Sequence, residues 1–475
     1  MSAVVVLALL STSLGGASSS DGWVDTSSSS AWTETSSGAE APTPSFIDDD
    51  QGEQGDWDRE AEKKPNFIET IQILGNEKTS DDVILRRLLL AVNDLVDDDL
   101  VDQSRLRLLS TGYFKSVDFS LKRGSRRGRV VLVIEVEERN TITVDGLYLG
   151  FSDVVPIYGG IGVTESNFLG RGMSVGAGVV AGKDRRALEI GLFIPDLSNT
   201  RLQLSLSGIF VEAAEVLSPD DPAGLELKYS RIGGVLGLGL RIGTAQRVSL
   251  DYRLESVQAA RLPNLDPAVL RSAPSIQFDQ SILSTISLSY ERDTRDDPFV
   301  PTQGARATLA MELGTKVFAS TYEFSKYTFD LEFAFSPIER HSLVLRAFGG
   351  LIQGQTPFFN QFFVRDFMHF ALGTKALPRL GQVNFSSFND YDDLILSGGA
   401  EYAIPFTSGN DVLYRAFLYG GVNVAATSSL GEIQEDPSGR GPSGRLPVSF
   451  DLGVKLDTYI GHFTLSLAYV VDLVL

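Results

Sequence analysis

From about Thr143 to the end of the chain, apolar and polar positions alternate with period two for roughly 330 residues, interrupted only by clusters of Gly, Pro, Asp and Ser. Leu202, Leu204 and Leu206 alternate with Arg201, Gln203, Ser205 and Ser207. Val248, Leu250, Tyr252 and Leu254 alternate with Arg247, Ser249, Asp251, Arg253 and Glu255. One face of each run is apolar while the other carries full charges. A soluble sandwich would turn the charged face outward and a membrane barrel would turn it inward, so one strand reads alike in both. Number and length separate them. About fourteen such segments, many of ten or more residues, with Tyr229, Tyr290, Tyr322, Tyr327, Tyr402, Tyr419 and Tyr469 near strand ends, fit a transmembrane barrel. The expected count is fourteen or sixteen antiparallel strands, with sixteen preferred.

Before that wall the pattern is mixed. Phe67 to Leu74 reads as a strand stopped by Gly75-Asn76, and a helix follows with Thr79 and Asp82 as its cap and Ile84, Leu85, Leu88 and Leu89 as its apolar stripe. Asp97 to Asp99 open a second helix that Gly112 ends. Two strands, Lys115 to Lys122 and Arg129 to Val136, close the unit around a basic turn containing Lys122, Arg123, Arg126 and Arg127. The order is β-α-α-β-β, a small α+β domain over residues 65–140, with an expected core of Ile71, Ile73, Ile84, Leu88, Leu108, Val117, Phe119, Val131 and Val133. Upstream, residues 1–17 resemble a signal peptide in the apolar run Ala3 to Leu10 and the small residues Gly15, Gly16 and Ala17, although a basic start is missing. Residues 18–64 are rich in Ser, Thr, Asp and Glu without periodic apolar positions, the composition of a disordered linker.

One loop breaks the barrel pattern. Residues 356–391 connect two alternating runs, and Phe358, Phe359, Phe362, Phe363, Phe367 and Phe370 make the connection too aromatic to be solvated. It is expected to fold back into the barrel lumen. Parity sets what it meets: with Leu394, Leu396, Gly398, Ala400, Tyr402 and Ile404 facing lipid, Glu401 points inward, as do Arg415, Tyr419 and Asn423. Arg365 is expected to pin the loop by pairing with Glu401.

Composition narrows the function. With 41 Lys+Arg against 61 Asp+Glu the net charge is −20, which leaves no basic surface for nucleic acid. There is no cysteine, hence no disulfide and no thiolate metal site. No run of about 18 apolar residues offers a membrane helix. Gly172-Met173-Ser174-Val175-Gly176 has the spacing of a hydrolase nucleophile elbow but sits in an alternating β segment without a following helix. His341, His369 and His462 are scattered. No catalytic constellation, cofactor site or metal site is expected, and the chain does not read as an enzyme.

Several motifs in order carry a resemblance. The β-α-α-β-β unit resembles a POTRA domain, with Gly75-Asn76 and Gly112-Tyr113-Phe114 in the corresponding places. Asn167-Phe168-Leu169-Gly170-Arg171-Gly172, Asp293-Thr294-Arg295-Asp296 with Pro301-Thr302-Gln303-Gly304, and Gly398 to Pro405 resemble barrel segments of the BamA- and TamA-like outer-membrane assembly and polypeptide-transport family. Val364-Arg365-Asp366-Phe367 matches that family's in-folded Val-Arg-Gly-Phe/Tyr loop, with Asp366 where Gly is usual. Glu401 matches one acid of the family's lumen site, whereas Tyr419 stands at the other, and the chain ends in Leu475 rather than an aromatic residue.

The resemblance implies a bacterial outer-membrane barrel over residues 143–475 with its POTRA domain in the periplasm. The implied function is to help client outer-membrane polypeptides fold, insert or translocate by strand templating, at the POTRA edge and at a barrel seam. The seam is expected between a first strand near Tyr158 to Phe168 and a last strand carrying Phe463, Leu465, Leu467 and Tyr469. The lipid bilayer and client polypeptides are the implied partners, with periplasmic chaperones or accessory lipoproteins beside them. The alternative is a passive outer-membrane pore or structural barrel that kept the fold but lost insertase activity. Because the α+β unit carries its own apolar core, a fragment of residues 65–140 is expected to unfold cooperatively in urea, and a non-cooperative transition would contradict that boundary.

Overall fold

The computed structural model describes residues 7–9, 66–109, 111–150, 157–197, 200–216, 226–243, 245–260, 275–297, 299–363, 391–408, 412–428, 445–458 and 461–474. A three-residue strand, β1 (Leu7–Leu9), comes first and belongs to the large sheet described below. The remainder of the expected leader and linker lies outside the described residues.

The α+β unit runs β2 (Phe67–Leu74), α1 (Asp81–Leu85), α2 (Asp98–Leu109), β3 (Phe114–Arg123) and β4 (Arg129–Glu138). Its sheet order is β2-β4-β3, with β4 parallel to β2 and antiparallel to β3. The helices pack on one face, over Ile68, Ile84, Leu108, Tyr113, Val117, Leu132, Ile134 and Val136. Of Val131 and Val133, both expected in the core, Val133 is buried but lies outside this cluster and Val131 is half-buried. The unbroken apolar run Val130 to Ile134 hides its own parity, which only the following Glu135-Val136-Glu137 reveals. The first helix is also shorter than its stripe suggests: it ends at Leu85, and Leu85 and Leu89 are exposed. Asp97 caps α2 as expected, its carboxylate accepting from Asp99 N at 2.9 Å and Leu100 N at 3.3 Å.

Fifteen antiparallel strands follow, each paired to the next. They are β5 (Ile142–Gly150), β6 (Tyr158–Phe168), β7 (Met173–Gly182), β8 (Arg185–Ile194), β9 (Leu202–Val216), β10 (Glu226–Ile242), β11 (Gln246–Ala259), β12 (Asp279–Asp293), β13 (Gly304–Gly314), β14 (Glu323–Phe335), β15 (Ser342–Gln355), β16 (Leu394–Ser408), β17 (Leu413–Ser428), β18 (Arg445–Thr458) and β19 (Gly461–Val474). With β1, the described sheet has sixteen strands. The count agrees with the expected sixteen, but the sixteenth comes from the N-terminal segment: Leu7, Ala8 and Leu9 pair with Leu149, Tyr148 and Leu147. The first strand of the wall is β5, not the segment from Tyr158, because a register shift between Val144 and Gly146 interrupts the alternation by which the sequence could have shown it. The sheet curls until β19 lies alongside β5 and β1.

Polarity settles which way the wall faces. Leu188, Ile190, Leu236, Leu238, Leu250, Leu288, Leu309, Leu345, Leu396, Leu418, Phe450 and Leu452 are exposed on the outer face. Glu189, Arg253, Glu255, Glu332, Glu401, Asp451 and Lys455 are buried on the inner one. This inversion is that of a barrel whose outer solvent is hydrocarbon.

The α+β unit is tied to the barrel through the β6–β7 turn. Thr79, expected to cap α1, instead accepts from Asn167 Nδ2 at 2.8 Å, while Ser80 occupies the cap position and donates its N–H to Gly170 O at 2.9 Å. Gly170 has φ +67° and a Cβ there would stand 1.8 Å from Lys78 O, so close approach requires glycine. Tyr113 donates to Gly172 O at 3.4 Å, and burial pushes its phenol above the ordinary tyrosine pKa, keeping it neutral. Arg87 and Arg241 share Asp196 at 3.0 and 2.6 Å. These contacts fix the end of the barrel nearest the α+β unit, and antiparallel alternation puts the β8–β9, β10–β11, β12–β13, β14–β15, β16–β17 and β18–β19 connections at the same end.

Detergent-solubilised protein is expected to be heat-modifiable, because concerted loss of many interstrand ladders raises the barrier to unfolding. Unheated and boiled samples should migrate differently on a gel, and identical migration would count against a stably folded barrel.

Candidate functional site in the barrel lumen

Charges that point inward from neighbouring strands cannot reach bulk water through the wall, so they must neutralise one another. They do so in sequence around the lumen. Arg295, in the β12–β13 connection, meets Asp293 at 2.8 Å and Glu332 of β14 at 2.7 Å. Glu332 takes Arg346 of β15 at 3.3 Å, and Arg346 reaches Glu401 of β16 at 3.4 Å. Glu401 also accepts from Lys455 of β18. The result is an alternating chain, Asp293, Arg295, Glu332, Arg346, Glu401 and Lys455, crossing from β12 to β18. A second acid stands beside it. Glu401 and Asp451 are both opposite Gly421 in the ladders of β17, so they lie in one row across three strands. Asn423 Nδ2 donates to Asp451 Oδ2 at 2.9 Å.

Toward the end away from the α+β unit, apolar and aromatic side chains join buried charges of the lumen, among them Arg231, Arg253 and Glu255. The stem of the long loop enters the lumen there. Phe358, fully buried, packs with Ile209, Val211 and Leu227, and meets Tyr229 edge-on at 5.1 Å between ring centroids. Phe359 stacks on Tyr229 at 5.9 Å, with the Arg231 guanidinium 4.5 Å from its ring centroid. Asn360 fastens the stem to the wall: its side-chain oxygen accepts from Arg253 at 3.0 Å and its carbonyl accepts from Lys326 at 2.6 Å. The two feet of the loop are joined by reciprocal backbone hydrogen bonds between Phe362 and Asp392 at 2.9 and 2.8 Å. Tyr391 packs edge-on against Phe358 at 5.0 Å.

Of the residues singled out in the sequence, Glu401 and Tyr419 both face the lumen and are almost wholly buried. Val364, Arg365, Asp366 and Phe367 lie outside the described residues, as does Phe370. Tyr419 does not replace an acid chemically; the Lys455 ammonium lies 5.1 Å from its ring centroid. Asp451, one strand further on, is a carboxylate in the same row as Glu401. Phe463, Leu465, Leu467 and Tyr469 all fall on β19, opposite Leu456, Val454, Leu452 and Phe450 of β18. Sequence reasoning missed Arg346, Lys455, Glu332 and Asp451. Each has inward parity, yet only the strand register shows that they meet.

A family model described as the Omp85 superfamily domain matches residues 167–472, and a POTRA model, surface antigen variable number repeat, matches residues 67–139. The chain is 24% identical over 305 residues to the outer membrane protein assembly factor BamA of Nitratidesulfovibrio vulgaris, covering 63% of this chain and 36% of that protein. It is 27% identical over 243 residues to the BamA of Neorickettsia risticii, covering 50% and 30% of the two. The matches therefore span about a third of these relatives' own length. Among solved structures, BamA from Haemophilus ducreyi lacking POTRA domains 1–3 superimposes with TM-score 0.57 at 15% identity, over 86% of this chain and 81% of that one. CdiB from Escherichia coli gives TM-score 0.57 at 12% identity, over 86% and 74%.

Lys455→Ala and Glu401→Ala should each destabilise the folded barrel by about 3–5 kcal/mol, because either leaves a buried charge short of its partner. In the double variant the losses should fall short of additivity, with a coupling of about 0.5–3 kcal/mol, read from urea titrations of the heat-modifiable band. Strict additivity would mean that the two side chains do not interact.

Proposed function

This chain belongs to the Omp85 superfamily, and from that premise we propose that it is an assembly factor of a bacterial outer membrane, with its POTRA domain in the periplasm, that helps client polypeptides fold into or cross the bilayer. The reading divides the chain into an export leader (1–17), a linker (18–64), the POTRA domain (65–140) and the barrel (143–475). One observation carries it: a barrel with an apolar exterior is joined directly to a small sheet that keeps one strand edge open. Both β2 and β3 are edge strands. The start of β2 is already paired, since Ile68 N donates to Asp94 O at 2.9 Å and Asn93 N donates to Ile68 O at 2.8 Å. No strand covers the outer edge of β3 among the described residues. An extended client chain would add to β3 through backbone hydrogen bonds, which recognise conformation rather than sequence. Exposed Lys115, Asp118 and Lys122 discourage self-association at that edge.

A second edge is proposed at the seam of β5 and β19, where Phe463, Leu465, Leu467 and Tyr469 lie. Pairing of β1 with β5 supports it, since it is strand addition by the chain itself. Removal of the leader would take β1 away and open that edge. Within the lumen, Arg365 would share Glu401 with Arg346 and Lys455, or else pair locally with Asp366. Free energy would come from client folding, and chaperones or accessory lipoproteins would deliver clients to the POTRA domain. A passive pore fits less well, because Phe358 and its neighbours fill the lumen's far end.

The test is kinetic. Liposomes containing the protein should speed the folding of a urea-denatured outer-membrane barrel by about tenfold or more over empty liposomes, followed by the client's own gel shift. Ion conductance without faster client folding would favour the passive pore.

A further inference from the structure

The β12–β13 connection is not an ordinary turn. Its hairpin continues as far as Thr294, whose N–H donates to Ala305 O at 2.9 Å, and Asp296, whose N–H donates to Gln303 O at 3.2 Å. The tip then turns inward. Asp296 holds one side of it, accepting from the N–H groups of Thr302 at 2.9 Å and Gln303 at 3.1 Å. Asp297 holds the other, accepting from the N–H of Phe299 at 2.7 Å, while its second oxygen meets Arg415 of β17 at 2.7 Å. Arg415 is itself fixed to Asp457 of β18 at 2.8 Å. Ser342, the first residue of β15, donates to Pro301 O at 2.5 Å.

These anchors carry Phe299 and Val300 into the lumen. There they pack on Ala403 of β16 and on Phe417 and Tyr419 of β17, with 7% and 2% of their surfaces exposed. The Lys455 ammonium lies 5.9 Å from the Phe299 ring centroid. The segment thus spans from β13 past β14, β15 and β16 to β17 and β18, inside the wall and at the end nearest the POTRA domain. Its apolar tip sits directly beneath the Glu401–Lys455 pair, while Arg295 at its root belongs to the same alternating chain of charges.

We propose that residues 294–297 and 299–303 form an internal strap that narrows the lumen at its POTRA end, as a barrier separate from the long loop entering at the other end. The geometry supports a seal more than a simple turn. A turn serving only to join β12 to β13 has no need of Asp297–Arg415, Ser342–Pro301 or a buried Phe299, all of which bind it to strands two to four positions beyond β13 around the barrel. The inference does not depend on insertase activity. A passive pore would be narrowed in the same way.

Because the chain has no cysteine, single cysteines can report on the strap in the full-length protein in detergent. Val300→Cys should react with a bulky maleimide at least about tenfold more slowly than Val317→Cys, whose parent residue is 84% exposed in the β13–β14 connection. Equal rates would overturn the proposal, and this arm needs no destabilising substitution. Asp297→Ala, with Ser342→Ala as the milder variant should the first fail to show a heat-modifiable band, should then speed labelling of Val300→Cys. The same substitution should also speed labelling of Ser449→Cys, whose parent residue is buried on the inner face of β18 between the two ends, about threefold or more. Faster labelling of Val300→Cys with unchanged labelling of Ser449→Cys would show that the strap is not the barrier.

Discussion

Most of this barrel follows from one constraint: its outer solvent is hydrocarbon, so charges along the wall turn inward and find opposite charges there, while the outward pair Arg186–Glu212 sits at the strand ends. An isolated ion in such an interior would lose several kcal/mol of solvation. The chain from Asp293 through Arg295, Glu332, Arg346 and Glu401 to Lys455 answers that requirement by alternating sign across seven strands. It also fixes geometry. Each pair joins residues from different strands, apart from Asp293 and Arg295, so the network sets the register and spacing of the wall from inside.

The two ends of the lumen are lined by different chemistry. At the far end, aromatic rings of the loop stem pack on apolar side chains of the wall and Asn360 fastens them to Arg253 and Lys326. At the POTRA end, a short acidic segment is held by carboxylate–backbone hydrogen bonds and one arginine. Between them sits Glu401, bound by two cations of the wall. Any loop arginine arriving there would join an existing network, and its removal would leave Glu401 still partly neutralised. Removing Lys455 would leave Glu401 with Arg346 alone.

Period two along β9 and β11 was enough to give strands, and parity was enough to turn Glu401 and Tyr419 inward. The composition of 356–391 was enough to send Phe358 inside. What the sequence hid was register and local irregularity. The bulge near Asp145 concealed β5, the apolar run before Glu135 concealed the core face of β4, and Thr79 looked like a helix cap because its actual partner, Asn167, is 88 residues away. Arg346, Lys455 and Asp451 were visible as inward residues, yet nothing local says that Asp451 shares a row with Glu401 or that Arg346 and Lys455 reach it from neighbouring rows. The segment containing Asp297 and Phe299 showed only a resemblance to a barrel motif, because its anchors, Ser342 and Arg415, are distant in sequence.

The account's central claim is that an open strand edge receives clients by backbone pairing, and the absence of cysteine makes it directly measurable. Single cysteines at Lys115, Ser116, Val117, Asp118, Phe119, Ser120, Leu121 and Lys122 on β3 would be tested for disulfide formation with a client arrested during assembly and carrying one cysteine in a terminal strand. Strand addition predicts that crosslinking alternates with period two along β3 and shifts in step when the client cysteine is moved by one residue. Crosslinks without alternation, or none along β3 while the client still folds faster, would contradict it.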